Sequence, residues 1–453
     1  MKNITDMLKI YEVSKIWKEA AYNFAFWDKI DIDWDEEYRK TLSRVLETDN
    51  LYDYYMELTR FVALLGDGHT GVNMPMELLQ DPEYFSMLPV QLWKFDNEIT
   101  VLNITEDLKE SIPLYSVLKK VDGINADDYI REYCYPYIWH GNQAACGLAA
   151  VNGLMFGKRG SGAVFTFEKN GRQFDIRLER DDPSKMEWGT TDFLPKQDDT
   201  QRLLSSSDVH KVYITADNIA VIKMKSFEDH SMCEKIYSDF EELNKAAGYI
   251  IDVRGNCGGY SENADRIAAL FINGEFKSCI AETQHYEPTY KALSVFREDL
   301  KELSLEELQE KYADDEESIK TCRMGRNMFY VKEKGDVFSD NAPEKLNGPI
   351  VVLMNEYSVS AAEDFVDVMK TYTDAVFVGT NTAGSSGQPL FEQLESGGSF
   401  RICTCRCIAQ NGEDIYNKGF APDVRIVQIA EDFAAGRDRA MEKGLEIIKN
   451  SCK

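Results

Sequence analysis

Ser360 stands where a hydroxyl group could serve as a nucleophile. The segment 349–365 predicts a buried strand that turns sharply into a helix, with Ser360 at the turn. Free amides and the positive end of the dipole at a helix N-terminus favour negative charge on an attacking oxygen. The spacing of Ser360 and Glu363 also fits a capping box, in which the hydroxyl only satisfies a backbone amide. On this segment alone, both interpretations stay open.

A glycine-rich turn follows an earlier predicted strand. The segment 249–260 ends with Gly258, Gly259 and Tyr260. Neither the phosphate-loop pattern nor the dinucleotide fingerprint is present, which argues against a phosphate cradle of either kind. Glycine lets backbone amides point at a ligand, and an oxyanion hole needs only one or two of them. Gly258 and Gly259 are therefore candidate oxyanion donors, and an ordinary tight turn is an equal interpretation.

One of the five histidines lies between two loop glycines. His69 belongs to the segment 65–71, which reads Leu-Gly-Asp-Gly-His-Thr-Gly. Histidine exchanges its proton near neutral pH, so it is the natural general base for a serine nucleophile. Taken alone, a loop histidine is more often solvated surface. The base and surface interpretations both remain at this point.

The order of these segments along the chain is more informative than any one of them. Together with two loops they resemble the tail-specific (carboxyl-terminal processing) serine protease family, in particular its branch related to tricorn protease and interphotoreceptor retinoid-binding protein. The five segments that carry the resemblance are 65–71, 249–260, 349–365, 379–389 and 411–423. Their joint occurrence is far more specific than any one of them.

The resemblance implies a fold and a set of roles. It implies an α/β fold with a crotonase/Clp-like catalytic core, an N-terminal helical region and a PDZ-like module. Ser360, rather than Ser358, corresponds to the nucleophile. The predicted oxyanion donors are Gly258, Gly259 and Ala361, and the predicted substrate-binding residues are Tyr260 and Ser385.

The general base is inferred from a departure within the family. Members that pair serine with lysine carry the lysine in the loop where this chain has Ser385. A neutral hydroxyl cannot replace an amine as the base, so His69 is favoured. In tricorn-like members a serine before the histidine and a distant glutamate orient the ring, but Gly68 and Tyr416 occupy those positions here. The candidates for the orienting group are Glu413, ranked first, followed by Asp67, Thr70 and Asp414.

The periodicity of the chain predicts three regions that would position these residues. Helical spacing of apolar residues predicts an N-terminal helical region over 1–80, and alternation predicts a strand-rich unit over 81–182. The family resemblance implies that this strand-rich unit is the PDZ-like module. Asn170-Gly171 is typical of a hairpin turn in that unit. Strands and helices alternate over 183–453, with a polar linker at about 182–208 and a charged helical insertion at about 280–345.

Composition limits the class of partner. The formal charge of −27 argues against a nucleic-acid partner, which needs concentrated Lys and Arg. Charged residues interrupt positions 1–25, so we expect no signal peptide or membrane span and a cytoplasmic location. We expect a peptide or unfolded-protein substrate and no cofactor, and the sequence leaves homo-oligomerisation open.

The ten cysteines indicate reduced thiols rather than a disulfide framework. Cys403, Cys405 and Cys407 form the one run that suggests a metal site. Read as one strand, the run places same-face neighbours roughly 6.5 Å apart along the chain. That spacing is too wide for adjacent sulfurs on one zinc ion, so we expect buried thiols and no metal there.

The function predicted from the sequence is a serine-type endopeptidase that forms an acyl-enzyme on Ser360, with His69 as base. Two alternatives from other classes remain. One is a non-catalytic peptide- or ligand-binding protein on the same scaffold, which the unmatched orienting positions favour. The other is a serine esterase, because the same chemistry cleaves esters.

Overall fold

The computed structural model describes residues 4–95, 98–138, 141–189, 201–300, 303–326, 330–332, 337–338 and 345–452. The predicted linker at 182–208 and the predicted insertion at 280–345 lie partly outside these residues. Among the described helices, none combines the length and the apolar character that crossing a membrane requires.

The chain begins with three helices that share one core. Apolar residues at helical spacing, among them Ile16, Leu58 and Phe61, are fully buried between them. Phe400 and Ile402 from the far end of the chain complete this core. The elements of this part are α1 (Asp6–Asn23), α2 (Trp34–Leu46), α3 (Leu51–Ala63), β1 (Gly71–Asn73) and α4 (Met76–Leu79).

An antiparallel sheet follows, in the order β3-β4-β5-β8-β9, with β6 paired to β5. The predicted hairpin is present, because β8 and β9 pair across a turn at Asn170 and Gly171, both with positive φ. The elements are β2 (Ser86–Met87), β3 (Val90–Phe95), β4 (Glu98–Ile104), β5 (Val117–Val121), β6 (Ile124–Asn125), α5 (Ala126–Tyr133), α6 (Gln143–Met155), β7 (Phe156–Gly157), β8 (Gly162–Lys169) and β9 (Arg172–Glu179).

The remaining described residues alternate strands and helices, as predicted. Up to residue 325 they form β10 (Arg202–Ser206), β11 (His210–Ile214), β12 (Ile219–Met224), α7 (His230–Ser238), α8 (Phe240–Leu243), β13 (Gly248–Asp252), α9 (Ser261–Ala269), β14 (Phe276–Lys277), β15 (Ile280–Gln284), α10 (Pro288–Ser294), α11 (Leu305–Lys311) and α12 (Glu316–Gly325). They continue with β16 (Tyr330–Lys332), β17 (Val337–Phe338), β18 (Ile350–Met354), α13 (Ala361–Tyr372), β19 (Val376–Gly379), β20 (Pro389–Gln393), β21 (Ser399–Cys403), β22 (Cys405–Ile408), β23 (Val424–Arg425), α14 (Ala430–Ala434) and α15 (Arg439–Ser451).

A seven-stranded sheet forms the centre of this part, in the order β10-β11-β12-β13-β18-β19-β23. The last four pairings, from β12 to β23, are parallel. Helices α7, α9 and α13 pack on one face and α15 packs on the other, which makes an α/β layer structure. Buried on both faces, β13 and β18 read as the continuous apolar runs typical of central parallel strands.

Two small sheets connect distant parts of the chain. In the first, β21 pairs with both β1 and β20, and in the second, β15 pairs with both β16 and β22. The sequence predicted one strand through 401–408, and this prediction is wrong. The strand breaks at Thr404, whose amide and hydroxyl both donate to the carbonyl of Gln388, and β21 and β22 enter different sheets.

Candidate active site

Ser360 follows the carboxyl end of β18 by six residues and lies immediately before α13. Its backbone has φ 60° and ψ −126°, a conformation that side-chain-bearing residues rarely adopt. Two backbone hydrogen bonds fix this strained conformation. Val359 N donates to Asn256 O at 3.0 Å, and Ser360 N donates to Ser385 O at 2.9 Å. A sharp, fixed turn of this kind presents a hydroxyl at the edge of a sheet.

The capping-box interpretation of Ser360 is not realised. The Ser360 side chain makes no capping hydrogen bond to α13, and the carboxylate of Glu363 binds a different loop. Ser358, by contrast, is buried and donates its hydroxyl to Val253 O at 2.8 Å. Of these two serines, only Ser360 has a hydroxyl without a hydrogen-bond partner among the described residues.

The glycine turn packs directly against Ser360. A Cβ atom at Gly258 would lie 2.6 Å from Ser360 Cβ, and both glycines have positive φ, +90° at Gly258 and +134° at Gly259. The Gly258 amide donates to the Asn256 side chain at 2.9 Å, so this predicted oxyanion donor is already engaged. The amides of Gly259 and Ala361 make no hydrogen bond to any described residue. These two amides are the ones left to receive an oxyanion.

His69 is buried, which the solvated-surface interpretation did not expect. Its Nδ1 atom lies 2.7 Å from the Ser385 hydroxyl. Burial, together with the charge of Arg401, lowers the pKa of His69 to about 4. The ring is therefore neutral at neutral pH, the state in which an imidazole can accept a proton.

Ser385 connects the two candidate catalytic residues. Its backbone carbonyl accepts the Ser360 amide, while its hydroxyl meets the His69 ring. The sequence predicted a substrate-binding role for Ser385, but the buried side chain contacts His69 instead. When Nδ1 donates its proton to this hydroxyl, Nε2 is left unprotonated and can act as the base. The hydroxyl therefore occupies the orienting position.

A buried carboxylate holds the loop that carries Ser385. Glu363 accepts hydrogen bonds from the Thr382 hydroxyl at 2.6 Å and from the amides of Gly384 and Ser385 at 2.8 and 2.7 Å. Burial raises the pKa of Glu363 to about 7. Sequence reasoning missed this role because the Ser360–Glu363 spacing suggested a cap.

The loop that carries His69 is fixed by residues far away in the sequence. The Gly66 carbonyl accepts from the Tyr416 hydroxyl at 2.8 Å and from the Asn417 side chain at 3.2 Å. Arg401 donates to the Gly68 carbonyl at 3.1 Å. Tyr416, which the resemblance places at the position of the orienting glutamate, thus supports the loop backbone and makes no hydrogen bond with the His69 ring.

The carboxylates proposed to orient the ring lie elsewhere. Glu413 is exposed and its side chain makes no hydrogen bond with His69, so its ranking as the orienting group is corrected. Asp414 pairs with Lys29 at 2.6 Å. The Asp67 carboxylate accepts from the His69 backbone amide and from the Thr70 hydroxyl, so these two candidates bind each other rather than the ring. Burial raises the pKa of Asp67 to about 6.

Tyr260, the other predicted substrate-binding residue, is exposed beside the glycine turn. Its ring stacks on His230, with the ring centroids 4.5 Å apart. The Tyr260 amide donates to the carbonyl of Phe227 at 3.2 Å. The side chain is accessible at this edge, and its substrate-binding role stays a prediction.

The sequence agrees with a known family over part of its length. Residues 218–426 match the model of Peptidase family S41. The carboxy-terminal processing protease CtpA of Bacillus subtilis (strain 168) is 23% identical over 214 residues, which are 46% of this chain and 35% of that protein. The carboxy-terminal-processing protease of Bartonella bacilliformis (strain ATCC 35685 / KC583 / Herrer 020/F12,63) is 24% identical over 215 residues, 47% of this chain and 39% of that protein. The matched segment thus spans little more than a third of these relatives.

Similarity to a solved structure extends over nearly the whole chain. The crystal structure of mature CPAF superposes with a TM-score of 0.72 at 16% identity and covers 98% of this chain and 97% of that one. At this identity the similarity establishes a common fold. The chain therefore carries a Peptidase family S41 segment at residues 218–426, which confirms the family resemblance predicted from the order of its motifs.

Proposed function

We propose that this chain is a serine peptidase that cleaves peptide bonds through an acyl-enzyme on Ser360. One observation carries the proposal. Ser385 accepts the Ser360 amide at 2.9 Å and meets His69 Nδ1 at 2.7 Å, so one residue brings the candidate nucleophile and the candidate base together. The resemblance to carboxy-terminal processing proteases supports peptides as the substrate class and does not favour the non-catalytic alternative.

The arrangement supports an acyl-transfer mechanism. His69 Nε2 takes the proton from the Ser360 hydroxyl as the oxygen attacks the peptide carbonyl. The amides of Gly259 and Ala361 receive the negative charge that forms on the carbonyl oxygen. His69 returns the proton to the leaving amine, and water then hydrolyses the acyl-enzyme. Loss of one oxyanion donor typically lowers the rate by about a hundredfold or more.

In this site the group that orients the histidine is a hydroxyl, whereas in many serine hydrolases it is a carboxylate. Ser385 can fix the ring and its tautomer, but it carries no charge to stabilise the imidazolium that forms. The burial of His69, which lowers its pKa, also disfavours that cation. We expect a base of modest strength whose working geometry depends on the loop that Glu363 holds.

Finer features of the fold belong to the same proposal. The seven-stranded sheet with its covering helices would be the crotonase/Clp-like core, and the sheet from β3 to β9 would be the PDZ-like module. Such a module would hold the C-terminal end of a substrate by strand addition. The division at about residues 80 and 182 and the cytoplasmic location are part of the proposal.

Labelling with a fluorophosphonate probe tests the function directly. Wild-type protein should be labelled, Ser360→Ala should not, and His69→Ala should be labelled at least about a hundredfold more slowly. Ser451→Ala and His285→Ala are the controls, because the Ser451 hydroxyl donates to Ile447 O within the C-terminal helix and His285 pairs with Glu287. If folded wild-type protein does not react, the proposal that this chain is an enzyme is refuted. If Ser360→Ala is still labelled, the nucleophile is a different residue.

A further inference from the structure

Two cysteines and a carboxylate meet behind the candidate active site. Cys279 precedes β15, Cys407 lies in β22, and Asp364 lies in the first turn of α13. One ligand atom from each of the three lies within 4.8 Å of the other two. The antiparallel pairing of β15 with β22 brings the two cysteines together, and Asp364 reaches them from α13. Only one sulfur of the 403–407 run takes part, so the sequence argument about adjacent sulfurs does not apply to this group.

The surroundings of the cluster are polar and ordered. Asp364 accepts from the Ser386 hydroxyl at 2.8 Å and from the Ser261 hydroxyl at 2.9 Å. The Ser386 hydroxyl also lies 3.3 Å from Cys407 Sγ. A cysteine is ordinarily a thiol at neutral pH, so each of the two sulfurs carries a proton that a bound cation can displace.

We propose that Cys279, Cys407 and Asp364 bind a soft divalent cation of the Zn²⁺ class. Thiolate sulfur and carboxylate oxygen are ligands that Zn²⁺ takes in tetrahedral sites, with bonds of about 2.3 Å to sulfur and about 2.0 Å to oxygen. Tetrahedral ligand atoms at such bond lengths lie roughly 3.5 Å apart, so side-chain shifts of about an ångström close the present cluster around an ion. Water completes the fourth position.

Binding follows a simple proton balance. Two thiols release two protons to solvent, two sulfur–metal bonds and one oxygen–metal bond form, and no electron is transferred. Affinity therefore rises with pH, and oxidation of either thiol abolishes the site.

The position of the cluster gives the cation a consequence for catalysis, which rests on the proposed function. Asp364 directly follows Glu363, and its hydrogen-bond partner Ser386 directly follows Ser385, so the cluster adjoins the residues that support His69. A bound cation draws Asp364 away from the hydroxyls of Ser386 and Ser261. We expect the loop that carries Ser385 to shift with it and the reactivity of Ser360 to fall.

Co²⁺ titration of the reduced full-length protein tests the site without any activity measurement. Wild-type protein should show the thiolate-to-cobalt charge-transfer absorption, and Zn²⁺ should remove it. Cys279→Ser, Cys407→Ser and Asp364→Asn should each weaken Co²⁺ binding at least about tenfold. Cys452→Ser, at the exposed end of the C-terminal helix, should bind as wild type does.

Two outcomes would overturn the site. One is absorption that persists unchanged in both Cys279→Ser and Cys407→Ser. The other is loss of Co²⁺ binding in Cys405→Ser, which would show that neighbouring sulfurs of one strand bind the ion instead. Circular dichroism shows whether each variant folds, and the release of about two protons per Zn²⁺ by wild-type protein gives a second readout that needs no variant.

Labelling by the fluorophosphonate probe tests the consequence separately. Zn²⁺ should slow labelling of wild-type protein at least about fivefold, a chelator should restore it, and Cys279→Ser should not respond. Labelling that proceeds unchanged at saturating Zn²⁺ would refute the inhibitory effect. If no labelling occurs with or without metal while Co²⁺ binds, the proposed function fails and the metal site stands.

Discussion

The two halves of the candidate active site are built in different ways. The nucleophile half, with Ser360 and the Gly258 turn, lies where two neighbouring parallel strands, β13 and β18, end at one edge of a sheet. The base half is a loop around His69 that residues from the far end of the chain hold in place. Strand and turn patterns close to the residue specify the first half. Contacts between residues more than 300 positions apart specify the second.

We therefore expect substitutions in the two halves to lower reactivity in different ways. In the nucleophile half, the conformation of the backbone positions Ser360. An added side-chain atom should therefore lower reactivity more than the loss of one hydrogen bond. In the base half, a network of hydrogen bonds positions His69. Removal of a single group from this network should therefore lower reactivity only in part.

The largest effect is expected from Gly258→Ala. The added Cβ would lie 2.6 Å from Ser360 Cβ and 2.9 Å from Val359 O, so the nucleophile turn must shift. Labelling by the fluorophosphonate should fall about a hundredfold or more, and the midpoint of thermal unfolding should drop. Gly255→Ala is the matched control, since its φ is also positive, at +71°, but nothing lies within 4 Å of the added atom. Equal loss of labelling in the two variants would contradict the steric explanation.

Removal of the connecting hydroxyl should have the next largest effect. Ser385→Ala leaves the carbonyl that accepts the Ser360 amide and removes only the partner of His69 Nδ1. The rate of labelling should fall about 10- to 100-fold, because the base loses its orientation but remains present. Ser451→Ala serves as the control. A Ser385→Ala protein with wild-type reactivity would show that the ring is held by other contacts.

The pH dependence of labelling examines the base half alone. His69 must be neutral to accept a proton, so reactivity is lost as pH falls through its pKa, which burial and Arg401 lower to about 4. The acid limb should therefore lie near pH 4 rather than near the ordinary value of 6.5. Arg401→Gln should move the limb toward neutral pH, whereas Arg39→Gln at the exposed surface should not. A wild-type limb near pH 6.5 would contradict the burial of the ring.

The smallest effect concerns the carboxylate that holds the connecting loop. The pKa of Glu363 rises on folding from 4.5 to about 7, so the folded protein binds this proton more tightly than the unfolded chain. Its stabilising contribution is full below pH 4.5 and is lost as pH rises through 7, with an upper bound on the order of 3 kcal/mol. Glu363→Gln should flatten that dependence in denaturant unfolding at pH 5, 6, 7 and 8, and the exposed Glu413→Gln should not. Parallel curves for wild type and Glu363→Gln would contradict the assignment.

The same contrast determines what could be predicted from the sequence. The alternation of strands and helices and the Asn170-Gly171 hairpin are local patterns, and the structure contains both. The turn that carries Ser360 also follows from local pattern, since an apolar strand must end before an amphipathic helix can begin.

The support of His69 could not be predicted in the same way. The contact of Ser385 with Nδ1 depends on where Glu363 holds a loop about twenty residues further along, and no local spacing encodes that distance. The Ser360–Glu363 spacing even pointed to a different hydrogen bond. Likewise, the break at Thr404 depends on the Gln388 carbonyl in a neighbouring segment, so the 401–408 run reads as one strand when taken alone.

A crystal structure of the protein after reaction with the fluorophosphonate tests the pairing of Ser360 with His69 most directly. We expect a phosphonyl group on Ser360 Oγ, with a phosphonyl oxygen within about 3.2 Å of the Gly259 and Ala361 amides and His69 Nε2 at a similar distance from Ser360 Oγ. An unmodified Ser360, or a His69 ring turned away from the adduct while Ser385 keeps its place, would contradict the proposed mechanism.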